Sequence, residues 1–179
     1  MSYEFQITRC VEFSETDMAG IMHFSNFFRF MESAEHAFFR SLGFSVARSR
    51  LAPEVCLPRV HAECDYAVPL RFEDEVQVRL LVERKGRCSL TYQFRFSRLN
   101  GSSQQEVARG RLTVASVERQ ADGSMKAVPL PQAIADKIDQ APVDVLGEGV
   151  LPKTKSFSRH GKARHERPRP SRESQLLGV

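Results

Sequence analysis

The sequence has no tryptophan and only three tyrosines, so aromatic packing must come mainly from its 13 phenylalanines. No apolar run approaches the ~20 residues that a membrane-spanning helix needs. The first five residues, MSYEF, contain neither a basic region nor a small-residue cleavage site, and we expect no secretory leader. These absences predict a cytoplasmic globular protein, and a chain of 179 residues favours one domain.

The four cysteines, Cys10, Cys56, Cys64 and Cys88, form no CxxC pair and have no histidine at the spacing of metal ligands. We therefore expect reduced thiols and no metal site. Cys64 and Cys88 fall in predicted strands, where buried and inert thiols are favoured over nucleophiles.

Charge is distributed unevenly along the chain. The formal net charge is +4, but residues 151–179 contain eight Lys/Arg and two Glu, a net of +6, so residues 1–150 carry −2. A slightly acidic body disfavours nucleic-acid binding. Because the segment also has almost no core-forming residues, we expect a disordered basic tail that could bind anionic partners only weakly and in a salt-sensitive way.

A strong helical pattern follows the turn-forming stretch at residues 14–20. Apolar residues recur there at steps of three and four, which places them on one face of a long helix. They are Phe24, Phe27, Phe28, Met31, Ala34, Phe38 and Leu42, with Phe30, Ala37 and Phe39 on the flanks. We expect this helix to be buried on most sides, capped by Ser25 or Asn26 and ended by Gly43.

Elsewhere the apolar period is two, which is typical of strands. Strands are predicted at residues 3–13, 61–68, 76–83, 90–97 and 108–116, a short helix at 132–140, and turns at 85–87, 100–101 and 122–123. One strand, one long helix and a run of antiparallel strands predict an α+β domain whose sheet curls around the helix.

Asp17 is the strongest candidate for chemistry, because it lies in the turn immediately before the Phe-rich helix. A helix N-terminus offers unpaired backbone N–H groups and a positive dipole end. Those groups can polarise an acyl carbonyl while the carboxylate attacks it or activates a water molecule. The alternative is that Asp17 only makes an Asx turn or caps the helix.

The stretch from Phe13 to Glu32, FSETDMAGIMHFSNFFRFME, resembles the signature of the hotdog-fold acyl-CoA thioesterases. It is most similar to the 4-hydroxybenzoyl-CoA thioesterases and to the short-chain acyl-CoA thioesterases of the Tol-Pal gene cluster. The resemblance continues at residues 40–43, 65–69, 74–76 and 86–90, and it covers roughly residues 3–130.

The resemblance implies a hotdog fold for residues 1–149, in which a curved antiparallel sheet wraps one long central helix, followed by the basic tail at 150–179. It also implies a homodimer with a continuous sheet, often paired into a homotetramer, with active sites at the subunit interface. The implied activity is acyl-CoA thioester hydrolysis without a metal or bound cofactor, since coenzyme A is part of the substrate.

The family's catalytic carboxylate falls on Asp17, and its carbonyl-polarising backbone N–H falls on Phe24. The family positions that line the acyl-CoA site fall on Leu57, Pro58, Arg59, Arg87, Cys88 and Ser89. Many members have a Tyr-His pair where this chain has His23-Phe24, so the histidine is displaced by one residue, or about 100° on a helix. A supporting catalytic role and a structural role for His23 both stay open.

Cys88 replaces the basic residue of the 4-hydroxybenzoyl enzymes, so Arg84, Lys85 and Arg87 are the alternative contacts for the CoA phosphates. Other functions also stay open, namely a hotdog enzyme acting on acyl-carrier-protein thioesters and a non-catalytic acyl-thioester binder. Further titratable residues are expected to be structural, solvated or paired at an interface; they are Glu32, Glu35, His36 and His61.

Overall fold

The computed structural model describes residues 1–45 and 55–147. The expected tail at 150–179 and its boundary with the domain lie outside the described residues. Within these ranges no helix is long and apolar enough to cross a membrane.

Eight strands and three α-helices make up the described fold. In chain order they are β1 (Glu4–Cys10), α1 (Ser25–Ser41), β2 (Val55–Cys56), β3 (Arg59–Tyr66), β4 (Glu75–Lys85), β5 (Ser89–Asn100), β6 (Ser103–Ala115), β7 (Val117–Arg119), β8 (Met125–Ala127), α2 (Gln132–Ala135) and α3 (Val143–Gly147). The main sheet is antiparallel with strand order β1-β4-β5-β6-β3, and β2-β7-β8 form a smaller sheet. The predicted α+β arrangement is confirmed.

The core lies between α1 and one face of the main sheet. Strand alternation points every second residue of β4, β5 and β6 at the helix. On β5 these are Leu90, Tyr92, Phe94 and Phe96, all fully buried. Gly110 of β6 permits close packing, because a Cβ built there would lie 2.3 Å from the sulfur of Met31. The small residue therefore lets the helix approach the sheet.

The start of α1 differs from the sequence-based expectation. Neither Ser25 nor Asn26 caps the helix, because Phe24 is the N-cap residue and its side chain accepts no hydrogen bond. The Asn26 side chain instead donates to the Glu15 carbonyl at 2.8 Å. At the other end Gly43 has a φ of +86° and its N–H donates to the Arg40 carbonyl, as predicted.

The buried face of α1 is also shifted relative to the prediction. Phe30 and Phe39, expected on the flanks, are fully buried, whereas Phe24 is 60% exposed. Phe24 is the N-cap residue, one position ahead of the first residue of α1. The short helix predicted at 132–140 ends at Ala135, because the following chain bonds to the N-terminus, with Asp139 donating to the Ser2 carbonyl.

Candidate active site

A hairpin-like loop carries the predicted catalytic carboxylate to the start of α1. Thr16 and Met22 form an antiparallel bridge, and the Asp17 N–H donates to the Ile21 carbonyl at 2.9 Å. The buried Met22 anchors the loop, since its N–H donates to the Leu70 carbonyl at 2.8 Å. The loop is therefore fixed to the body of the domain.

Asp17 makes an Asx turn, which the sequence offered as the alternative to a catalytic role. Its Oδ1 accepts the Ala19 N–H at 2.8 Å, and its carbonyl accepts the Gly20 N–H, where Gly20 has a φ of +70°. No partner for Oδ2 is recorded among the described residues. One carboxylate oxygen of this half-buried side chain thus stabilises the turn, and the other can contact a substrate or a water molecule.

The backbone N–H of Phe24 is a donor at the positive end of a 17-residue helix. Within residues 1–45 and 55–147 it has no recorded hydrogen-bond partner, whereas the Asn26 N–H donates to the His23 carbonyl. Such an N–H can stabilise negative charge on a carbonyl oxygen. Tyr66 lies beside it, because the Tyr66 hydroxyl donates to the Phe24 carbonyl at 3.3 Å.

His23 is tied to the first residue of α1. Its Nδ1 lies 2.8 Å from the Ser25 hydroxyl oxygen, and its ring packs on Phe24 with centroids 4.5 Å apart. The ring is half-buried. Asp17, His23 and Phe24 are thus on one short segment, as the sequence predicted.

The two predicted groups of acyl-CoA-binding residues meet at the end of β6. The Pro58 carbonyl accepts the Ala115 N–H at 3.0 Å, and the Cys88 carbonyl accepts the next N–H, that of Ser116, at 2.8 Å. Leu57 packs against the core, and Arg87 is exposed. Residues 57–59 and 87–89 therefore adjoin one another in the folded chain.

Within one chain, residues 57–59 and 87–89 do not lie beside Asp17. Arg59 begins β3 and Tyr66 ends it, and only Tyr66 contacts the start of α1. Seven residue steps of about 3.3 Å separate the two ends by ~23 Å. Asp17 and the predicted CoA-binding residues accordingly lie at opposite ends of β3.

Glu35 corrects the expectation of a solvated or interface-paired acid. It is only 3% exposed, and its Oε2 lies 2.6 Å from the Arg59 guanidinium, which also pairs with Glu32 at 3.2 Å. Burial raises the pKa of Glu35 to about 7, although Arg59 opposes the rise. Its position four residues after Met31, on the apolar face, was the signal available in the sequence.

A buried hydroxyl adds to this cluster. The Tyr92 hydroxyl has no hydrogen-bond partner among the described residues, and burial raises the pKa of Tyr92 well above its usual value. Nothing in the sequence distinguishes Tyr92 from its apolar neighbours on β5, so sequence reasoning did not find it.

The remaining candidates behave as structural residues. Burial raises the pKa of the Cys64 thiol to about 12, which fits an inert thiol. Cys88 lies in the turn before β5 and not in a strand, which corrects its predicted position. The His61 Nε2 lies 3.2 Å from a Glu63 carboxylate oxygen at the protein surface, and His36 is half-buried. Among the described residues no acid, histidine or cysteine cluster could hold a metal ion.

The curved antiparallel sheet packed on one long helix is the hotdog fold, which the solved structure described below shares. The family model described as "Thioesterase-like superfamily" matches residues 11–138, and the chain belongs to this superfamily. The family, fold class and enzyme class predicted from the sequence are thereby confirmed.

Two relatives and one solved structure illustrate the similarity. A putative esterase of Aquifex aeolicus (strain VF5) is 40% identical over 91 residues, which cover 50% of this chain and 70% of the relative. A 1,4-dihydroxy-2-naphthoyl-CoA hydrolase of Prochlorococcus marinus (strain MIT 9313) is 32% identical over 97 residues, which cover 50% of this chain and 64% of the relative. A 1,4-dihydroxy-2-naphthoyl-CoA thioesterase from Synechocystis matches with a TM-score of 0.68 at 24% identity, over 75% of this chain and 95% of that one. At that identity the structural likeness shows the fold alone.

Proposed function

We propose that the protein hydrolyses an acyl-CoA thioester to the free acid and CoA, with Asp17 as nucleophile or general base. The observation that carries the proposal is the Asp17 carboxylate, one oxygen of which is held by the Ala19 N–H, set directly ahead of the Phe24 N–H at the start of α1. The Phe24 N–H polarises the thioester carbonyl.

Either role of Asp17 gives a balanced reaction. As a base it takes a proton from water, the resulting hydroxide attacks the carbonyl carbon, and the oxyanion accepts from the Phe24 N–H. Collapse of the tetrahedral intermediate breaks the C–S bond, and the CoA thiolate takes up a proton. As a nucleophile Asp17 forms a mixed anhydride and expels CoA, and water then hydrolyses the anhydride.

CoA binding is assigned to Leu57, Pro58 and Arg59 and to Arg87, Cys88 and Ser89, the two groups that meet at the end of β6. Lys85 is a weaker candidate than the sequence suggested, because its ammonium donates to the carbonyls of Ala135 and Ile138. Arg84 and Arg87 are exposed and are better placed to meet phosphates.

The active site is proposed to lie between two copies of the chain. Antiparallel pairing of β3 with β3 of a second copy sets the start of one strand beside the end of the other. That arrangement brings Arg59 and its neighbours from one copy toward Asp17 of the other. It accounts for the placement of the two groups at opposite ends of β3, a strand about 23 Å long.

Release of free CoA from a panel of acyl-CoAs tests the proposed function. The panel should span short aliphatic, aromatic and long-chain acyl groups. It should include 1,4-dihydroxy-2-naphthoyl-CoA, because one described relative and one described structure are named for it. We expect turnover of at least one member, unchanged by a metal chelator. A reaction blank without substrate is needed, because the chain has four cysteines that react with thiol dyes. Tight binding without turnover favours the acyl-thioester binder, and turnover of acyl-carrier-protein thioesters alone favours the other alternative.

A further inference from the structure

The contacts of His23 determine which ring nitrogen carries the proton. Nδ1 lies 2.8 Å from the Ser25 hydroxyl oxygen, and the Ser25 backbone N–H points at the same nitrogen from 3.4 Å. In a neutral imidazole one nitrogen donates and the other accepts. Because a backbone N–H can only donate, Nδ1 is the acceptor, the Ser25 hydroxyl donates to it as well, and the ring proton is on Nε2.

The loop places this ring beside Asp17. The Thr16–Met22 bridge sets Asp17 opposite Ile21, and the His23 N–H donates to the Glu15 carbonyl at 2.8 Å. Side chains alternate between the two faces of such a pair, so we expect Asp17 and His23 to project from the same face as diagonal neighbours, about 7–8 Å apart along the backbone and somewhat less between their Cβ atoms. A small group between them is within reach of both.

We propose that Ser25 is a positioning residue that holds neutral His23 with its proton on Nε2, where His23 donates a hydrogen bond to the thioester oxygen. This rests on the proposed hydrolysis by Asp17. A second donor beside the Phe24 N–H stabilises the charge that grows on that oxygen in the transition state. His23 is then not the base, since Nδ1 is occupied and Nε2 is protonated, and Asp17 is the group that accepts a proton or attacks.

Nitrogen NMR of the ring in the full-length protein tests the tautomer. Five histidines contribute signals, and His23→Gln identifies the one that belongs to His23. We expect protonation on Nε2 in the wild type, a weaker preference in Ser25→Ala, where only the backbone N–H at 3.4 Å still points at Nδ1, and its return in Ser25→Thr, which keeps the hydroxyl. A proton on Nδ1 in the wild type overturns the proposal.

Kinetics of the same variants test the role. Loss of one neutral hydrogen bond predicts a fall in kcat of roughly 2–10-fold for Ser25→Ala with KM little changed, and recovery in Ser25→Thr. His23→Gln keeps an N–H donor at the reach of Nε2 and is expected to lose no more than about tenfold. His23→Asn is too short and is expected to lose about 10²–10³-fold. The matched control, His36→Gln, makes the same substitution at a histidine with no contact to Ser25 and should change neither readout.

Three results contradict the proposal. An equal fall in kcat in His23→Gln and His23→Asn would indicate that His23 acts as a base. A fall in kcat in Ser25→Ala as large as that in Asp17→Asn would indicate that Ser25 itself is a nucleophile. Unchanged kcat in both Ser25→Ala and His23→Asn removes the role altogether. Melting temperatures separate misfolding from these outcomes. Absence of wild-type turnover on every acyl-CoA defeats the proposed function instead, and the tautomer is still measured independently.

Discussion

At the scale of single residues, Glu35 combines near-complete burial with a 2.6 Å ion pair to Arg59. Removing a carboxylate from water is costly unless it is paired or protonated. Here both happen in part, because Arg59 is one-third exposed and burial raises the pKa of Glu35 to about 7. The residue is therefore close to the balance between its charged and neutral forms at neutral pH.

Stability should depend on pH through Glu35. The pKa rises from an ordinary value of 4.5 to about 7 in the folded protein, so the folded state binds the proton more tightly than the unfolded state. The resulting stabilisation is fully present below pH 4.5 and is lost as pH rises through 7, an effect on the order of 3 kcal/mol. Glu35→Gln should abolish this slope. Urea unfolding of both proteins between pH 4.5 and pH 8 measures it.

Glu32→Gln is the matched control for that experiment. Glu32 shares the Arg59 partner at 3.2 Å but its side chain is 47% exposed. Its charge is the smallest of the causes that act on the pKa of Glu35, so its substitution should reduce the slope only slightly. Identical slopes in wild type and Glu35→Gln would show that Glu35 keeps an ordinary pKa in the folded protein.

Sequence reasoning proposes roles for residues that adjoin along the chain, and it missed residues that meet only through packing. Asp17 and Phe24 were predicted because a carboxylate and a helix start adjoin along the chain. Glu35 and Tyr92 meet Arg59 and the core only after the strands assemble. The hydrogen bond between the Ser25 hydroxyl and His23 was missed for a different reason. Ser25 was predicted to cap the helix, but its hydroxyl bonds instead to the side chain two residues earlier in the chain.

At the scale of elements, β3 is an edge strand with little cover. Seven of its eight residues are exposed, on both faces of the strand. An exposed edge carries unpaired backbone groups that can pair with another chain. The predicted homodimer gives this edge a partner, which is the second copy of the same strand.

A lysine at the middle of β3 should break that pairing. In an antiparallel pair related by a two-fold axis, Ala62 of one copy lies near Ala62 of the other, so Ala62→Lys sets like charges together. We expect wild-type protein to have a mass of two or four times 20.3 kDa by light scattering, and Ala62→Lys to be monomeric and inactive.

Gln6→Lys is the matched control, because it adds the same charge to β1, the other edge of the sheet. Its mass and turnover should equal those of the wild type. A wild-type monomer at micromolar concentration, or an active Ala62→Lys monomer, would rule out a site shared between copies.

The five strands of the main sheet and α1 were predicted within about five residues of their observed bounds, because alternation and the 3.6-residue period are strong signals. The short strands β2, β7 and β8 were not predicted, because two or three residues are too few to show a period. The C-terminal end of α2 was not predicted correctly, because the helix stops where the following chain bonds to the N-terminus through Asp139 and Ser2. The sequence around α2 gives no sign of such a distant contact. The exposure of β3 was also missed, since its sequence alternates like that of a covered strand.

At the scale of the whole molecule, the fold separates two functions that the reaction must combine. The start of α1 supplies Asp17 and the Phe24 N–H, and the far end of β3 supplies residues 57–59 and 87–89. In the proposed mechanism, pairing of two copies joins them, so catalysis and assembly are coupled. Sequence similarity predicted such an arrangement, but the separation along β3 required the structure.

The most direct test of the central claim is turnover by Asp17→Asn compared with Asp122→Asn. Both aspartates make an Asx turn, with Asp17 Oδ1 accepting the Ala19 N–H at 2.8 Å and Asp122 Oδ1 accepting the Ser124 N–H at 2.9 Å. Only Asp17 lies ahead of α1. Asparagine keeps the turn-forming oxygen and removes the charge, so melting temperature and acyl-CoA affinity should change little in either variant. We predict a fall in turnover of ~10²–10⁴-fold for Asp17→Asn and none for Asp122→Asn; wild-type turnover in Asp17→Asn would contradict the account.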